Sequence, residues 1–387
     1  MSKIAKNFIH PAGKKSLVSV VTSGSTTLSS KKSVKRAIEL VGGMDKIVNR
    51  GDSVLIKPNF VAPFSGAITN FNIIEEVIEE VRKCGGEPMI GESAGFEFDT
   101  EKTFDIIGAT KFAQNMGVKL VNFDAEHIGK IKVNQIFLKE LMIPKIVMEA
   151  DVLINIPKMK MHGITTVSFG MKNLMGIPNR ESRRKLHVFG IERGIAALNT
   201  IFKPDLTIVD GLTVMGSKAV YGNELDLGVI VAGKDVVSVD QVCCELIGIK
   251  PQNITHIRHA IKEGLEQGHP EIVGDLNKVN KISMREQKTL HRLLHNALFR
   301  GMYIADYLYS IRHPNKSLIP TLHWYTGIRP KIEQSKCDRC GICVDICPIK
   351  AINAETIQIE SKKCMYVRCL KCAEQCPAGA IVIKGRQ

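Results

Sequence analysis

Eight of the eleven cysteines in this 387-residue chain lie between Cys337 and Cys376. The first four run Cys337-x2-Cys340-x2-Cys343-x3-Cys347, followed by Pro348. Three thiolates that close can wrap one iron–sulfur cluster, while a fourth, turned away by proline, ligates its neighbour. The string Cys347-Pro348-Ile349-Lys350-Ala351-Ile352 returns 29 positions later as Cys376-Pro377-Ala378-Gly379-Ala380-Ile381, which reads as a duplicated half-module. The spacing predicts two 4Fe-4S clusters. One rests on Cys337, Cys340, Cys343 and Cys376, the other on Cys347, Cys369, Cys372 and a fourth ligand. Cys364 is the candidate for that place, although four residues separate it from Cys369 where two are expected, and Tyr366 stands where the repeat requires cysteine. A local bulge could bring Cys364 round; the alternative is a labile or three-iron second site. Zinc also uses C-x-x-C pairs, but wants two separated pairs in a tetrahedron, and three tight thiols followed twice by Cys-Pro favour iron. Clusters of this kind move single electrons, so the module is an electron wire or a redox sensor. Cys84, Cys243 and Cys244 lie in apolar, helix-like settings and are expected in the core.

A second constellation lies mid-chain, after the apolar run Val152–Ile156: Pro157-Lys158-Met159-Lys160-Met161-His162-Gly163, then Phe169-Gly170-Met171-Lys172-Asn173-Leu174-Met175-Gly176. Ligands of parallel sheets bind beyond the carboxyl ends of strands, where Lys158, Lys160 and His162 would project from a loop. Between Lys158 and Lys185 seven basic residues (Lys158, Lys160, Lys172, Arg180, Arg183, Arg184, Lys185) face only Glu181, and His187 adds an imidazole. This suits a phosphate or carboxylate, although a solvated basic loop has the same pattern. Lys57 and Asn59 after Val54–Ile56, and Asp210 after Leu206–Val209, are the other strand-end residues expected to line a site, ahead of Glu92-Ser93. Asp235 and Asp240 are expected in a turn and at a helix N-cap. No G-x-G-x-x-G or G-x-x-x-x-G-K-[ST] phosphate cradle stands out.

The elements that must position these residues follow from periodicity. Short apolar runs at Leu17–Val21, Val54–Ile56, Pro88–Ile90, Lys119–Phe123, Val152–Ile156, Leu206–Val209 and Val229–Val231 read as buried strands. Helix-period stretches at Ile73–Cys84, Thr103–Met116, Val239–Ile247 and Ile254–Gln267 lie between several of them. The alternation predicts an α/β class: a large domain with a mostly parallel sheet flanked by helices over residues 1–280. A small α+β iron–sulfur domain follows over 333–387. Residues 281–332 form a basic, aromatic-rich connector in which Leu290, Leu293, Leu294, Ala297 and Leu298 sit at helical spacing. That helix is expected to pack on one domain or bridge both; a membrane-surface helix is the second choice. Composition is that of a folded protein, with 44% apolar and 24% charged residues. No stretch approaches the length of a membrane span or a signal core, so a cytoplasmic protein is expected. The charge of +14 fits an acidic redox partner or a small anionic ligand; with 5% aromatic residues, nucleic acid is disfavoured.

The strings Val54-Leu55-Ile56-Lys57-Pro58-Asn59, Ala150-Asp151-Val152-Leu153-Ile154-Asn155-Ile156-Pro157-Lys158-Met159-Lys160-Met161-His162, Met171-Lys172-Asn173-Leu174-Met175-Gly176 and Val209-Asp210-Gly211 resemble the domain-of-unknown-function 362 family. The likeness covers about residues 15–270, and in that family a bacterial-type ferredoxin module commonly follows, as here at 333–383. The order His162, Lys172, His187 is also similar to lactate racemases with a nickel-pincer nucleotide, where a histidine precedes the cofactor-bearing lysine by ten residues and another follows. That similarity implies acid–base or metal-binding histidines and a covalent anchor at Lys172. Three functions are therefore expected, in this order: an iron–sulfur redox protein serving a partner or an additional ligand on the α/β domain; a racemase or isomerase; a redox-sensing binding module.

Overall fold

The computed structural model describes residues 16–24, 26–135, 138–216, 224–265, 270–284, 289–313, 316–326, 329–364 and 369–384. Tyr366 lies outside these, as do the side chains of Leu290, Leu293 and Leu294. In chain order the first elements are β1 (Leu17–Thr22), α1 (Thr27–Leu40), β2 (Ser53–Pro58), α2 (Phe71–Lys83), β3 (Glu87–Glu92), α3 (Thr100–Ile107), α4 (Ala109–Met116) and β4 (Lys119–Asn122). A hairpin of β5 (Ile128–Gln135) and β6 (Leu138–Pro144) leads through α5 (Lys145–Glu149) to β7 (Val152–Ile156), β8 (Lys158–His162) and β9 (Thr166–Ser168). Then come α6 (Gly170–Asn173), α7 (Arg180–Ile201), β10 (Leu206–Met215), β11 (Glu224–Gly233), α8 (Val236–Leu246), α9 (Thr255–Lys262) and β12 (Glu271–Gly274).

Among the described residues ten strands share one sheet, with the path β12-β1-β11-β10-β7-β2-β3-β4. Pairing is parallel from β10 through β7, β2 and β3 to β4, and again between β12 and β1; β11 alone on this path runs antiparallel to both neighbours. Side chains alternate across the sheet with period two. Leu55, Leu153, Val209 and Val231 therefore pack under α7, α8 and α9. Val54, Ile56, Ile154, Ile208 and Ile230 pack under α1, α2 and α4. Helices on both faces are what a buried parallel sheet requires.

Two expectations change. The stretch Thr103–Met116 is two helices, because Gly108 adopts φ 83 and ends α3 in a left-handed cap. Residues 158–168, expected as a loop, are the hairpin β8–β9, with β8 running parallel to the second half of β10. Their pattern is a strand's: Met159 and Met161 join the core while Lys158 and Lys160 point to the other side.

The rest of the chain is α10 (Thr289–Arg312), α11 (Ile319–Thr326), β13 (Arg329–Ile332), α12 (Ile342–Asp345), β14 (Ile352–Asn353), β15 (Gln358–Ile359), α13 (Ser361–Cys364), α14 (Lys371–Glu374) and β16 (Ile381–Lys384). β13 pairs with β16 and β14 with β15, both antiparallel. No described helix is long and apolar enough to cross a membrane. In α10, Phe299, Tyr303 and Asp306 face inward while Ala297 and Leu298 are exposed, the reverse of the expected packing face.

Candidate functional site

The strand ends gather four lysines. Lys57, the fifth residue of β2, is fully buried, and its Nζ donates to Glu92 Oε2 at 2.6 Å at the end of β3. Lys158 Nζ donates to Asp210 Oδ1 at 3.2 Å and Thr213 Oγ1 at 2.9 Å, which ties β8 to β10. Lys160, also buried, donates to Asn59 Oδ1 at 2.6 Å and to the Ala67 carbonyl at 2.9 Å. Lys172 Nζ, on α6, has no hydrogen-bond or ion-pair partner among the described residues. Four lysine amines thus gather around two carboxylates, Glu92 paired with Lys57 and Asp210 with Lys158, an excess of basic groups in a poorly hydrated place. Burial, aided by Lys57, lowers Lys172 to about 8. Burial, then Lys172, holds Lys160 well below the usual lysine range, and burial outweighs Glu92 in lowering Lys57.

A chain of amides fixes this arrangement. Asn59 Nδ2 donates to Asn173 Oδ1 at 2.7 Å, Asn173 Nδ2 donates to Asn155 Oδ1 at 2.8 Å, and Asn155 Nδ2 donates to the Gly170 carbonyl at 3.0 Å. The short helix α6 is thereby stitched to β2 and β7. Its first amides, Gly170 N at 2.8 Å and Met171 N at 3.1 Å, donate to Asp240. Asp240 is therefore no N-cap of its own helix; it lies buried within α8 and caps α6, whereas Asp235 does cap α8. Burial outweighs those two amides and raises Asp240 to about 8. A Cβ on Gly170 would meet Asp240 Oδ1 at 2.9 Å and Val236 at 2.7 Å, so only glycine lets α6 sit there.

His162 and His187 are held in complementary tautomers. His162 Nδ1 accepts from the amides of Ile164 at 3.1 Å and Thr165 at 3.3 Å, which places its hydrogen on Nε2. His187 Nδ1 lies 2.8 Å from the Arg183 carbonyl, to which it must donate, which leaves a lone pair on Nε2. Burial, then Lys172 and Lys160, keeps His162 well below the usual histidine range. Burial lowers His187 to about 3. The His187 ring stacks on Tyr303 at 4.3 Å and meets the edge of Phe96 at 5.3 Å.

The seven-residue basic run divides. Arg180 and Arg183 pair with Asp124, Arg184 with Asp306 at 2.6 Å, and Lys185 with Glu181, so these four are structural or surface pairs. Asn155, Asn173 and the capping role of Asp240 are absent from the sequence reading. An asparagine inside Val-Leu-Ile-Asn-Ile was the available signal, since a buried amide needs partners.

In the C-terminal module Cys337, Cys340, Cys343 and Cys376 line one hollow. Cys347, Cys364, Cys369 and Cys372 line a second. Matching amides, Ala351 N to Cys347 Sγ at 3.2 Å and Ala380 N to Cys376 Sγ at 3.3 Å, recur in the two halves. Burial and the neighbouring thiols Cys364, Cys369 and Cys347 push Cys372 up to about 12. Among the described residues no three His, Cys, Asp or Glu side chains converge as ligands of one metal ion would.

The second thiol set abuts the α/β domain. Cys369, Lys371 and Glu374 line a cleft of about 500 Å³ together with Phe64, Thr69 and Asn70 of the α/β domain. Leu370 is buried with Phe64, Ala67 and Met215, and Lys371 Nζ donates to the Ile106 carbonyl at 3.1 Å. Asn70 N donates to Asp210 Oδ2 at 2.9 Å, and Thr69 Oγ1 accepts from Asn59 N at 2.8 Å. Two residues lining the cleft are thus bonded to Asp210, the partner of Lys158, and to the backbone of Asn59, whose side chain accepts from Lys160.

Residues 54–245 match the domain of unknown function DUF362, and residues 330–353 match a 4Fe-4S binding domain. Over 317 residues the chain is 28% identical to the thylakoid-associated protein sll1697 of a Synechocystis strain, covering 76% of this chain and 93% of that one. The lactate racemase apoprotein from Thermoanaerobacterium thermosaccharolyticum superposes with a TM-score of 0.40 at 15% identity, over 62% of this chain and 59% of that structure.

Proposed function

Because the chain carries a DUF362 domain followed by a 4Fe-4S binding domain, we propose that it is a redox protein serving an anionic ligand held at the strand ends of the α/β domain. Cys337, Cys340, Cys343 and Cys376 would hold one 4Fe-4S cluster, and Cys347, Cys364, Cys369 and Cys372 the other. Bound clusters of this type supply single-electron transfer. The observation that carries the reading is the cleft lined by Cys369 together with Thr69 and Asn70, of which Asn70 is bonded to Asp210, the partner of Lys158. Lys57, Lys158, Lys160 and Lys172 attract the anion, the Asn59–Asn173–Asn155 chain fixes their positions, and Leu370 with Lys371 keeps the module docked. Anaerobic purification, with iron, sulfide, nickel and zinc determined per chain and electron paramagnetic resonance of the reduced protein, tests the cluster part. About eight iron and eight sulfide are expected. Stoichiometric zinc without sulfide defeats the reading.

A second reading, a racemase or isomerase, draws on His162 and His187. One ring offers an N–H and the other a lone pair, an acid and a base whose titrations both feel the Lys172 amine, itself lowered to about 8. Stoichiometric nickel that disappears in Lys172→Ala would favour it over electron transfer.

A further inference from the structure

The outer face of α10 is apolar where a solvated helix should be polar. Leu298, Ile304, Leu308 and Ile311 are 71%, 39%, 58% and 62% exposed, nearly half of the exposed large hydrophobic side chains among the described residues. With Gly301 between them their spacing is three, three, four and three, so they share one stripe along the helix. The opposite face is already used: Tyr303 packs with Phe96, Val188 and Ile319, and Asp306 pairs with Arg184. The stripe therefore lies on a helix anchored from behind, and no described element covers it.

Charge decides what fits. Arg300 and Arg312 flank the stripe and are exposed, with His313 and Lys316 just beyond, and Asp306, the one carboxylate in α10, is buried on the other side. A second copy of this chain docking face to face would set these cations against their own kind, in a protein of formal charge +14. An anionic bilayer surface offers both an acyl boundary for the leucines and isoleucines and headgroups for the arginines. We propose that α10 lies flat on an anionic membrane surface and makes this a peripheral membrane protein.

The test is flotation of the full chain with vesicles of phosphatidylcholine alone and of equal parts phosphatidylcholine and phosphatidylglycerol. Binding to the anionic vesicles, weakened by salt, is expected. Leu308→Glu with Ile311→Glu should abolish it, and Arg312→Glu should weaken it about fivefold or more, since each basic residue near an anionic surface contributes roughly a factor of five. Circular dichroism and the iron content of each variant must match the parent, which excludes misfolding. Failure to float with anionic vesicles, or flotation indifferent to the Leu308/Ile311 variant, overturns the proposal. So does sedimentation showing a dimer that the same variant dissociates, which would make the stripe a self-association surface.

Discussion

The two ends of the molecule are held together by different means. Among the described residues the α/β domain rests on a ten-stranded sheet with a core on each face, and Lys57, Lys158 and Lys160 are tied by hydrogen bonds into that frame. The C-terminal module has four-residue helices, two-residue strands in β14 and β15, and small cores in which the cysteines themselves pack. So little apolar surface cannot hold a chain of that length by itself. The first region carries its own order; a region built like the second takes order from what its thiols bind.

The sharpest break between them is metal removal. Chelation of iron under reducing conditions should unfold the C-terminal module while the α/β domain keeps its cooperative melt, read as separate losses in hydrogen exchange over 329–384 and over 17–262. A single shared transition would refute the division. Next in size, Glu92→Gln strands Lys57 in a fully buried place, and breaking such a pair costs roughly 3–5 kcal/mol in chemical denaturation. Arg184→Met strands Asp306 in the same way and should release α10 first, seen as early exchange at Tyr303.

Acid should divide the molecule more gently. His187 and His256 titrate at about 3 in the folded chain, below the ordinary value near 6.5. Between those values the unfolded chain binds more protons, so stability falls as pH drops from about 6.5 toward 3. His187→Phe or His256→Phe should flatten that slope in a pH series of melts. Asp240 acts oppositely: its folded value is raised to about 8, so stability falls as pH rises from about 4 to 8, and Asp240→Asn should remove that loss. The smallest effect is His256→Phe at neutral pH. Both ring nitrogens are buried without a partner among the described residues, so the change should be neutral or stabilising by about 1 kcal/mol.

Much of this was legible in the residues themselves. The runs at Val54–Ile56, Val152–Ile156 and Leu206–Val209 are parallel strands, and Lys57, Asn59, Lys158, Lys160 and Asp210 meet at their ends, because strand ends in such a sheet converge. The arginines of α7 misled, since a sequence shows a charge but not the Asp124 or Asp306 that occupies it from 56 or 122 residues away. β8 was hidden by its lysines, whose alternation with Met159 and Met161 marks a strand of which one face carries polar work. The capping of α6 by Asp240 joins positions 70 apart and has no local signature.

Cys347 belongs by position to the first half-repeat and by space to the second hollow, while Cys376 does the reverse. Neither half is thus a unit of inheritance that could be lost, swapped or regained alone. A lineage that discarded one hollow would have to re-wire the other in the same stroke.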